Sequence, residues 1–76
     1  MKPQFEYEIT DSIAVLSERG QVSKELNKVS YNGMPAKYDI RSWQRSEGGE
    51  KMLKGLTLTD EEASILKAAL NKIKEL

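Results

Sequence analysis

The sequence predicts an α+β protein in which a four-stranded antiparallel sheet is followed by one C-terminal helix. Four segments alternate apolar and polar residues, which is the pattern of half-buried strands. Asn32-Gly33 between two of them is a hairpin signal, and Thr59-Asp60-Glu61-Glu62 is a helix start. Because 76 residues fit one small core, we expect a single domain over residues 1–76.

The first half of the chain predicts two strands. Phe5, Tyr7 and Ile9 alternate with polar residues, and the phase changes after Asp11, so we expect a long first strand with a bend there. Residues 17–23 contain Gly20 and are mostly polar, which indicates a turn. The second strand is predicted over residues 24–31, and a bulge within it is one interpretation of its uneven alternation.

The third strand is predicted over residues 37–43, after the Asn32-Gly33 turn and Pro35. Alternation directs Tyr38 and Ile40 toward a core, and Lys37, Asp39, Arg41 and Trp43 outward. An outward Trp43 has two interpretations, a stacking platform or a cover over the core edge. Asp39 likewise either pairs with Arg41 or Lys37 across neighbouring strands or is a solvated acid.

The last third of the chain predicts a loop, a strand and the helix. A polar loop with Gly48-Gly49 is predicted over residues 44–50, and a fourth strand is predicted over residues 51–58. In the capping box, the Thr59 hydroxyl accepts from the Glu62 amide while the Glu62 carboxylate accepts from the Thr59 amide. Three acids lie at the positive end of the helix dipole, and Lys72 and Lys74 at the negative end.

The apolar stripe of this helix is wider than one sheet needs. It spans an arc of about 140°, against roughly 100° for packing on one surface, and its members are Ile65, Leu66, Ala69, Leu70, Ile73 and Leu76. A chain of this length without disulfides or metal gains stability from a shared core, so we expect a homodimer. The alternative is that the whole arc faces its own small core.

Charge is sorted along the chain although its sum is zero. Residues 1–18 carry a net charge of −3, whereas residues 19–45 carry +4. A basic middle segment bearing aromatic residues is typical of a surface that binds single-stranded nucleic acid, because phosphates need cations and bases need flat rings.

The residue types exclude most enzymes. The sequence has no histidine and no cysteine, which removes the commonest general base, the thiol nucleophile and the usual metal ligands. No glycine-rich phosphate loop occurs. We therefore expect no catalytic site, no metal and no cofactor. The sequence also contains no apolar segment of membrane-spanning length and no apolar signal region, so a cytoplasmic protein is expected.

Two motifs carry a resemblance to a known family. The first is Tyr-Asp-Ile-Arg-Ser-Trp on the third strand, and the second is Lys-Gly-Leu-Thr-Leu-Thr, which runs into the helix. With this order of elements, the chain resembles the transcriptional coactivator family of positive cofactor four, in its bacterial YdbC-type branch. The likeness covers nearly the whole chain, from Phe5 to the helix. It implies a homodimer whose curved sheets bind single-stranded DNA through stacking aromatics and backbone-following cations.

The resemblance also implies which residues contact the nucleic acid. The family motifs on the third and fourth strands match Lys37, Arg41, Trp43 and Lys54. A base-stacking aromatic of the family matches Tyr31, and basic positions of the second strand match Lys24 and Lys28. The expected partners are single-stranded DNA or RNA, a second copy of the chain and the transcription machinery, at the nucleoid. The expected role is in transcription regulation, replication or repair. The alternative is a protein-interaction module that holds a transcription or repair partner.

Overall fold

The computed structural model describes residues 6–76 and contains one open antiparallel sheet followed by a helix. Strands follow one another in chain order, β1-β2-β3-β4, so each connection is a hairpin. The elements are β1 (Tyr7–Arg19), β2 (Val22–Tyr31), β3 (Lys37–Ser46), β4 (Gly49–Leu58) and α1 (Asp60–Asn71). The predicted fold class is confirmed. The part of the first strand predicted at Phe5 lies outside the described residues.

Bulges bend the first strand. Its register with β2 shifts between Ile9 and Asp11, which confirms the bend predicted near Asp11. Two further shifts follow at residues 12–14 and 15–17, and in each case the extra residue belongs to β1. The bulge considered for β2 is not present in that strand: β2 pairs continuously with β3, and the extra residues belong to β1. Each bulge increases the local twist of an edge strand.

The strands are longer than predicted at two hairpins. The turn expected over residues 17–23 is confined to Gly20 and Gln21, and the loop expected over residues 44–50 is confined to Glu47 and Gly48. Polar residues continue the pairing on both sides, as in Ser17 with Lys24 and Gln44 with Lys51. An exposed antiparallel ladder tolerates such residues, since backbone groups make its hydrogen bonds.

The central hairpin and the helix start are confirmed. Asn32 and Gly33 adopt positive φ values of 52° and 78°, the conformation that such a turn requires. Thr59 caps α1 with both hydrogen bonds of the capping box, to and from Glu62. Lys72 is the C-terminal cap, so the predicted cations lie at or beyond the end of the helix.

The sheet has two different faces. The helix face carries Leu26, Lys28, Tyr38 and Ile40, which line a cavity of about 630 Å³ together with Leu66 and Leu70 of α1. The opposite face, which we call the arginine face, carries Tyr31, Asp39, Arg41, Trp43 and Arg45 by strand alternation and pairing.

Burial on these faces corrects one prediction. Tyr38 and Ile40 are half-buried, whereas Asp39 and Trp43, expected to look outward, have 0% exposure. Among residues 6–76, Val29 and Trp43 are the buried hydrophobic residues, and alternation along β2 places Val29 on the arginine face too. The reason is that α1 leaves a cavity over the helix face, while side chains of the arginine face cover one another. The described residues form no helix with the length and hydrophobicity needed to cross a bilayer.

Candidate nucleic-acid interface

Asp39 is the centre of a hydrogen-bond network on the arginine face. Its Oδ1 accepts from Arg41 Nε at 2.6 Å, and its Oδ2 accepts from Arg41 Nη2 at 2.8 Å. Oδ2 also accepts from the Tyr31 hydroxyl at 2.6 Å and the Thr57 hydroxyl at 3.0 Å. The pairing expected for Asp39 is therefore made with Arg41 of the same strand, two residues along, and the solvated alternative is excluded.

The network fixes the position of the Arg41 guanidinium. In addition to its two bonds with Asp39, Arg41 donates from Nη1 to the carbonyl oxygen of Leu53 at 3.1 Å. Its side chain is 12% exposed, and its guanidinium carbon lies 5.9 Å from the centre of the Tyr31 ring. A planar cation thus lies beside an aromatic ring, an arrangement that suits both cation–π attraction and stacking.

Charge pairing keeps this network ionised. Burial alone raises the pKa of Asp39, but the hydrogen bonds from Arg41, Tyr31 and Thr57 outweigh burial and hold the pKa below its ordinary value. Burial raises the pKa of Tyr31, and the neighbouring Asp39 carboxylate raises it further. Tyr31 is therefore a neutral hydrogen-bond donor at physiological pH.

A bulge in β4 brings the Lys-Gly motif beside Arg41. Leu53 and Lys54 lie opposite the single residue Ser42, between the pairs Arg41–Gly55 and Trp43–Met52. The bulge directs the Leu53 carbonyl to Arg41. Lys54 is exposed, and among residues 6–76 no carboxylate forms an ion pair with it.

A second polar network surrounds Arg45 on the same face. Its Nη1 donates to Glu25 and, at 3.4 Å, to the Ser23 hydroxyl; its Nη2 donates to Glu25 at 3.3 Å, and its Nε donates to Glu50 at 3.0 Å. The Tyr7 hydroxyl donates to Glu50 at 2.7 Å. Glu25 also accepts from the Ser23 hydroxyl and, at 3.0 Å, from Asn27 Nδ2. We call this set of side chains the Arg45 cluster.

The Arg45 cluster covers Trp43. The Arg45 guanidinium carbon lies 5.5 Å from the centre of the indole, and the Tyr7 ring centre lies 5.3 Å from it. The indole Nε1 is buried, with no hydrogen-bond partner among the described residues. Of the two interpretations of Trp43, the structure therefore favours the cover over a core, which here lies on the arginine face itself.

Glu25 is the most strongly perturbed acid described. Burial acts to raise its pKa, but hydrogen bonds from Arg45, Ser23 and Asn27 outweigh burial and lower the pKa from 4.5 to about 2. The paired carboxylates raise the pKa of Arg45. Both residues remain charged across the physiological range.

The sheet separates the residues predicted from the sequence into two groups. Tyr31, Lys37, Arg41 and Trp43 share the arginine face, and exposed Lys54 lies next to Gly55, which pairs with Arg41. Lys24 and Lys28 alternate with Glu25 and Asn27 and lie on the helix face, where Lys28 Nζ is 4.8 Å from the centre of the Tyr38 ring. The structure does not bring these two lysines together with Arg41.

Sequence reasoning missed Glu25, Asn27, Arg45 and Glu50 as members of this face. The signal was present in β2, where Glu25 and Asn27 alternate with Leu26 and so share a face with Tyr31. Recognising their partner required the extension of β3 to Ser46, because Arg45 was predicted in a loop. Among residues 6–76, no group of three acidic residues is arranged to hold a metal ion.

Comparison with known proteins places this arrangement in a family. A family model described as "Transcriptional Coactivator p15 (PC4)" matches residues 21–69, which includes β2, β3, β4 and most of α1. An uncharacterized protein of the bacterium Treponema pallidum (strain Nichols) is 46% identical over 70 residues, which is 91% of this chain and 80% of that protein. The bacterial relative agrees with the bacterial branch suggested by the motifs. The chain therefore belongs to the transcriptional coactivator p15 (PC4) family.

Proposed function

We propose that this protein is a homodimer that binds single-stranded DNA through its arginine face and acts in transcription regulation, replication or repair. The observation that carries the proposal is the position of Arg41 beside Tyr31. The Arg41 guanidinium carbon lies 5.9 Å from the centre of the Tyr31 ring, and both side chains are hydrogen-bonded to buried Asp39. Sequence-tolerant binding of a single strand requires ordered aromatic and cationic groups side by side, and this pair supplies them.

Exposed lysines would supply the contacts to phosphate. Lys37 lies on the arginine face ahead of Asp39, and Lys54 lies in the β4 bulge next to Gly55. Both are exposed, and no ion pair joins either of them to another described residue. Each therefore has its full charge available for a phosphate, whereas Arg41 and Arg45 are already paired with carboxylates. Lys24 and Lys28 are not assigned to this surface, since they lie on the helix face.

Apolar surface that one copy leaves exposed supports the proposed homodimer. Ile65 and Leu76 are 65% and 80% exposed, and Ile73 is 45% exposed. Ile65 and Ile73 lie outside the cavity between α1 and the sheet, whereas Leu66 and Leu70 line it. The wide stripe therefore points in two directions, and a second copy of the helix is the partner with matching chemistry.

We assign no enzymatic activity and a single domain over residues 1–76. A nucleic-acid-binding coactivator of this kind acts where bacterial DNA lies, in the cytoplasm at the nucleoid. The exposed helix stripe is the surface that an alternative function, holding a transcription or repair partner, would use instead.

Fluorescence anisotropy with labelled oligo-dT, duplex DNA and oligo-U tests the proposal. We expect the single DNA strand to bind more tightly than the duplex, with a salt dependence of about −0.7 in the log-log slope per contacted phosphate. Lys37→Ala and Lys54→Ala should each weaken binding and reduce the slope by about 0.7. Oligo-U shows whether RNA competes at the same face.

Two controls make the result specific. Lys74→Ala removes an exposed cation beyond the end of α1 and should leave affinity nearly unchanged. Lys24→Ala removes one on the helix face and should have a smaller effect than Lys37→Ala. A salt slope near zero, or equal losses from all four variants, contradicts phosphate binding at the arginine face. Absence of oligonucleotide binding, together with retained dimerisation, favours the protein-interaction alternative.

A further inference from the structure

The Arg45 side chain is hydrogen-bonded through its nitrogens and is nevertheless partly exposed to solvent. Its side chain is 41% exposed although four hydrogen bonds join its nitrogens to Glu25, Ser23 and Glu50. A guanidinium donates in its own plane, so these bonds occupy its edge and leave its two flat faces. The guanidinium carbon lies 5.5 Å from the centre of the Trp43 indole, and 41% of the side chain remains exposed.

Arg45 also lines a cavity of about 430 Å³. The cavity lies between residues 12–15 of β1 and the side chains of Glu25, Asn27 and Arg45. Ile13 and Val15, which are 47% and 56% exposed, are the large apolar residues that line this cavity. The lining therefore combines apolar side chains with a few polar groups, as pockets for small organic groups do.

Asn27 supplies an acceptor at this cavity. Its Nδ2 donates to Glu25, and this orientation is fixed because an ionised carboxylate only accepts. Its Oδ1 accepts no hydrogen bond from the described residues, and Asn27 lines the cavity although the residue is only 2% exposed. A buried acceptor in this position favours a ligand whose edge donates a hydrogen bond.

We propose that Arg45 is a stacking platform for an unpaired nucleobase, with the cavity beside it as the base subsite and Asn27 as an acceptor for the base edge. This inference rests on the proposed function and extends it to a residue that the sequence motifs leave out. Arg45 contacts the base and not the phosphate, because Glu25 and Glu50 neutralise its charge. Every nucleobase has both a flat face and an edge donor, so the subsite binds without selecting a sequence.

The test compares oligo-dT with a strand of equal length in which the bases are replaced by abasic sites. Arg45→Lys keeps the charge beside Glu25 but removes the planar face. We expect it to weaken oligo-dT binding about fivefold or more, and to reduce the wild-type preference for oligo-dT over the abasic strand by the same factor. Asn27→Leu should weaken oligo-dT binding by about 2- to 12-fold.

Salt dependence separates stacking from phosphate contact. The double variant Glu25→Gln/Arg45→Gln removes both charges together, so no buried carboxylate is left unpaired. We expect it to lose affinity with an unchanged salt slope, and thermal unfolding checks that it remains folded. Lys51→Ala, a nearby exposed cation paired with Gln44 and so on the other face, is the matched control and should keep the wild-type preference for bases.

The outcomes distinguish this inference from the function on which it rests. Wild-type protein that fails to bind oligo-dT overturns the proposed function. Wild-type binding with normal salt dependence, but an unchanged preference for bases in Arg45→Lys, overturns the stacking platform alone. A slope reduced by about 0.7 in the double variant also overturns it, because Arg45 would then contact a phosphate.

Discussion

Gly55 lies directly against Arg41 across the pairing of β3 with β4. A Cβ atom at Gly55 would lie 1.8 Å from the Cβ of Arg41 and 2.5 Å from the carbonyl oxygen of Ile40. Both obstacles are backbone or near-backbone atoms, which cannot rotate away. The glycine of the Lys-Gly motif is therefore required by its close approach to Arg41 of the arginine face.

Replacing this glycine should disrupt both the sheet and the arginine face. We expect Gly55→Ala to reduce the free energy of unfolding by about 1 to 3 kcal/mol or more, because β4 must move away from β3. Urea unfolding measures the loss. Gly48→Ala is the matched control: its Cβ would meet Ser46 Oγ at an ordinary 3.7 Å, so little change is expected. Equal stabilities of the two variants would show that β4 relaxes without cost.

Asp39 should be essential for stability although it lies on the proposed binding face. Asp39→Asn keeps the shape but leaves the Arg41 guanidinium, 12% exposed, without its anion. We expect a loss of about 3 to 5 kcal/mol in the free energy of unfolding, measured in urea. Asp11→Asn, at an exposed acid of β1, should change it by no more than about 0.5 kcal/mol. Similar losses in the two variants would argue against a stabilising network around Asp39.

Acid should destabilise the protein through Glu25. Its pKa is 4.5 when unperturbed and about 2 in the folded protein, so the unfolded chain binds the proton more readily. The contribution of ionised Glu25 to the free energy of unfolding is complete above about pH 4.5 and is lost as the pH falls toward 2. This contribution amounts to roughly 3 kcal/mol.

The measurement is the free energy of unfolding of wild type and Glu25→Gln between neutral and acidic pH. The advantage of the wild type should shrink as the pH falls from about 4.5 to about 2. Asp39, whose pKa is also lowered, is present in both proteins, so its contribution largely cancels. A constant difference across this range would mean that Glu25 titrates normally in the folded protein.

Dimerisation should be visible in thermal unfolding. A protein that folds as a dimer has a melting temperature that rises with protein concentration. Ile65→Asp, at a residue 65% exposed and outside the helix–sheet cavity, should halve the mass measured by light scattering and remove this concentration dependence. Asn71→Asp adds the same charge on the cavity side and should remain dimeric. A wild-type monomer at micromolar concentration would contradict the shared helix interface.

Local patterns determined the architecture of this protein. Alternation, the Asn32-Gly33 turn and the Thr59 capping box predicted the element order, and alternation placed Lys37, Asp39, Arg41 and Trp43 on one face. These properties depend only on neighbours within a few residues, since side-chain direction repeats every two residues in a strand and caps act over three. The family motifs likewise identified the family without coordinates.

Burial and pairing were decided by the tertiary structure alone. Trp43 is covered because Arg45 and Tyr7 come from other positions of the sheet, and Asp39 is ionised because Tyr31, Arg41 and Thr57 converge on it from three strands. The separation of Lys24 and Lys28 from Arg41 depends on which face α1 covers. These outcomes follow from cross-strand register, which the hairpin turns and the bulges of β1 and β4 fix together, and alternation within one strand does not show where a bulge shifts that register.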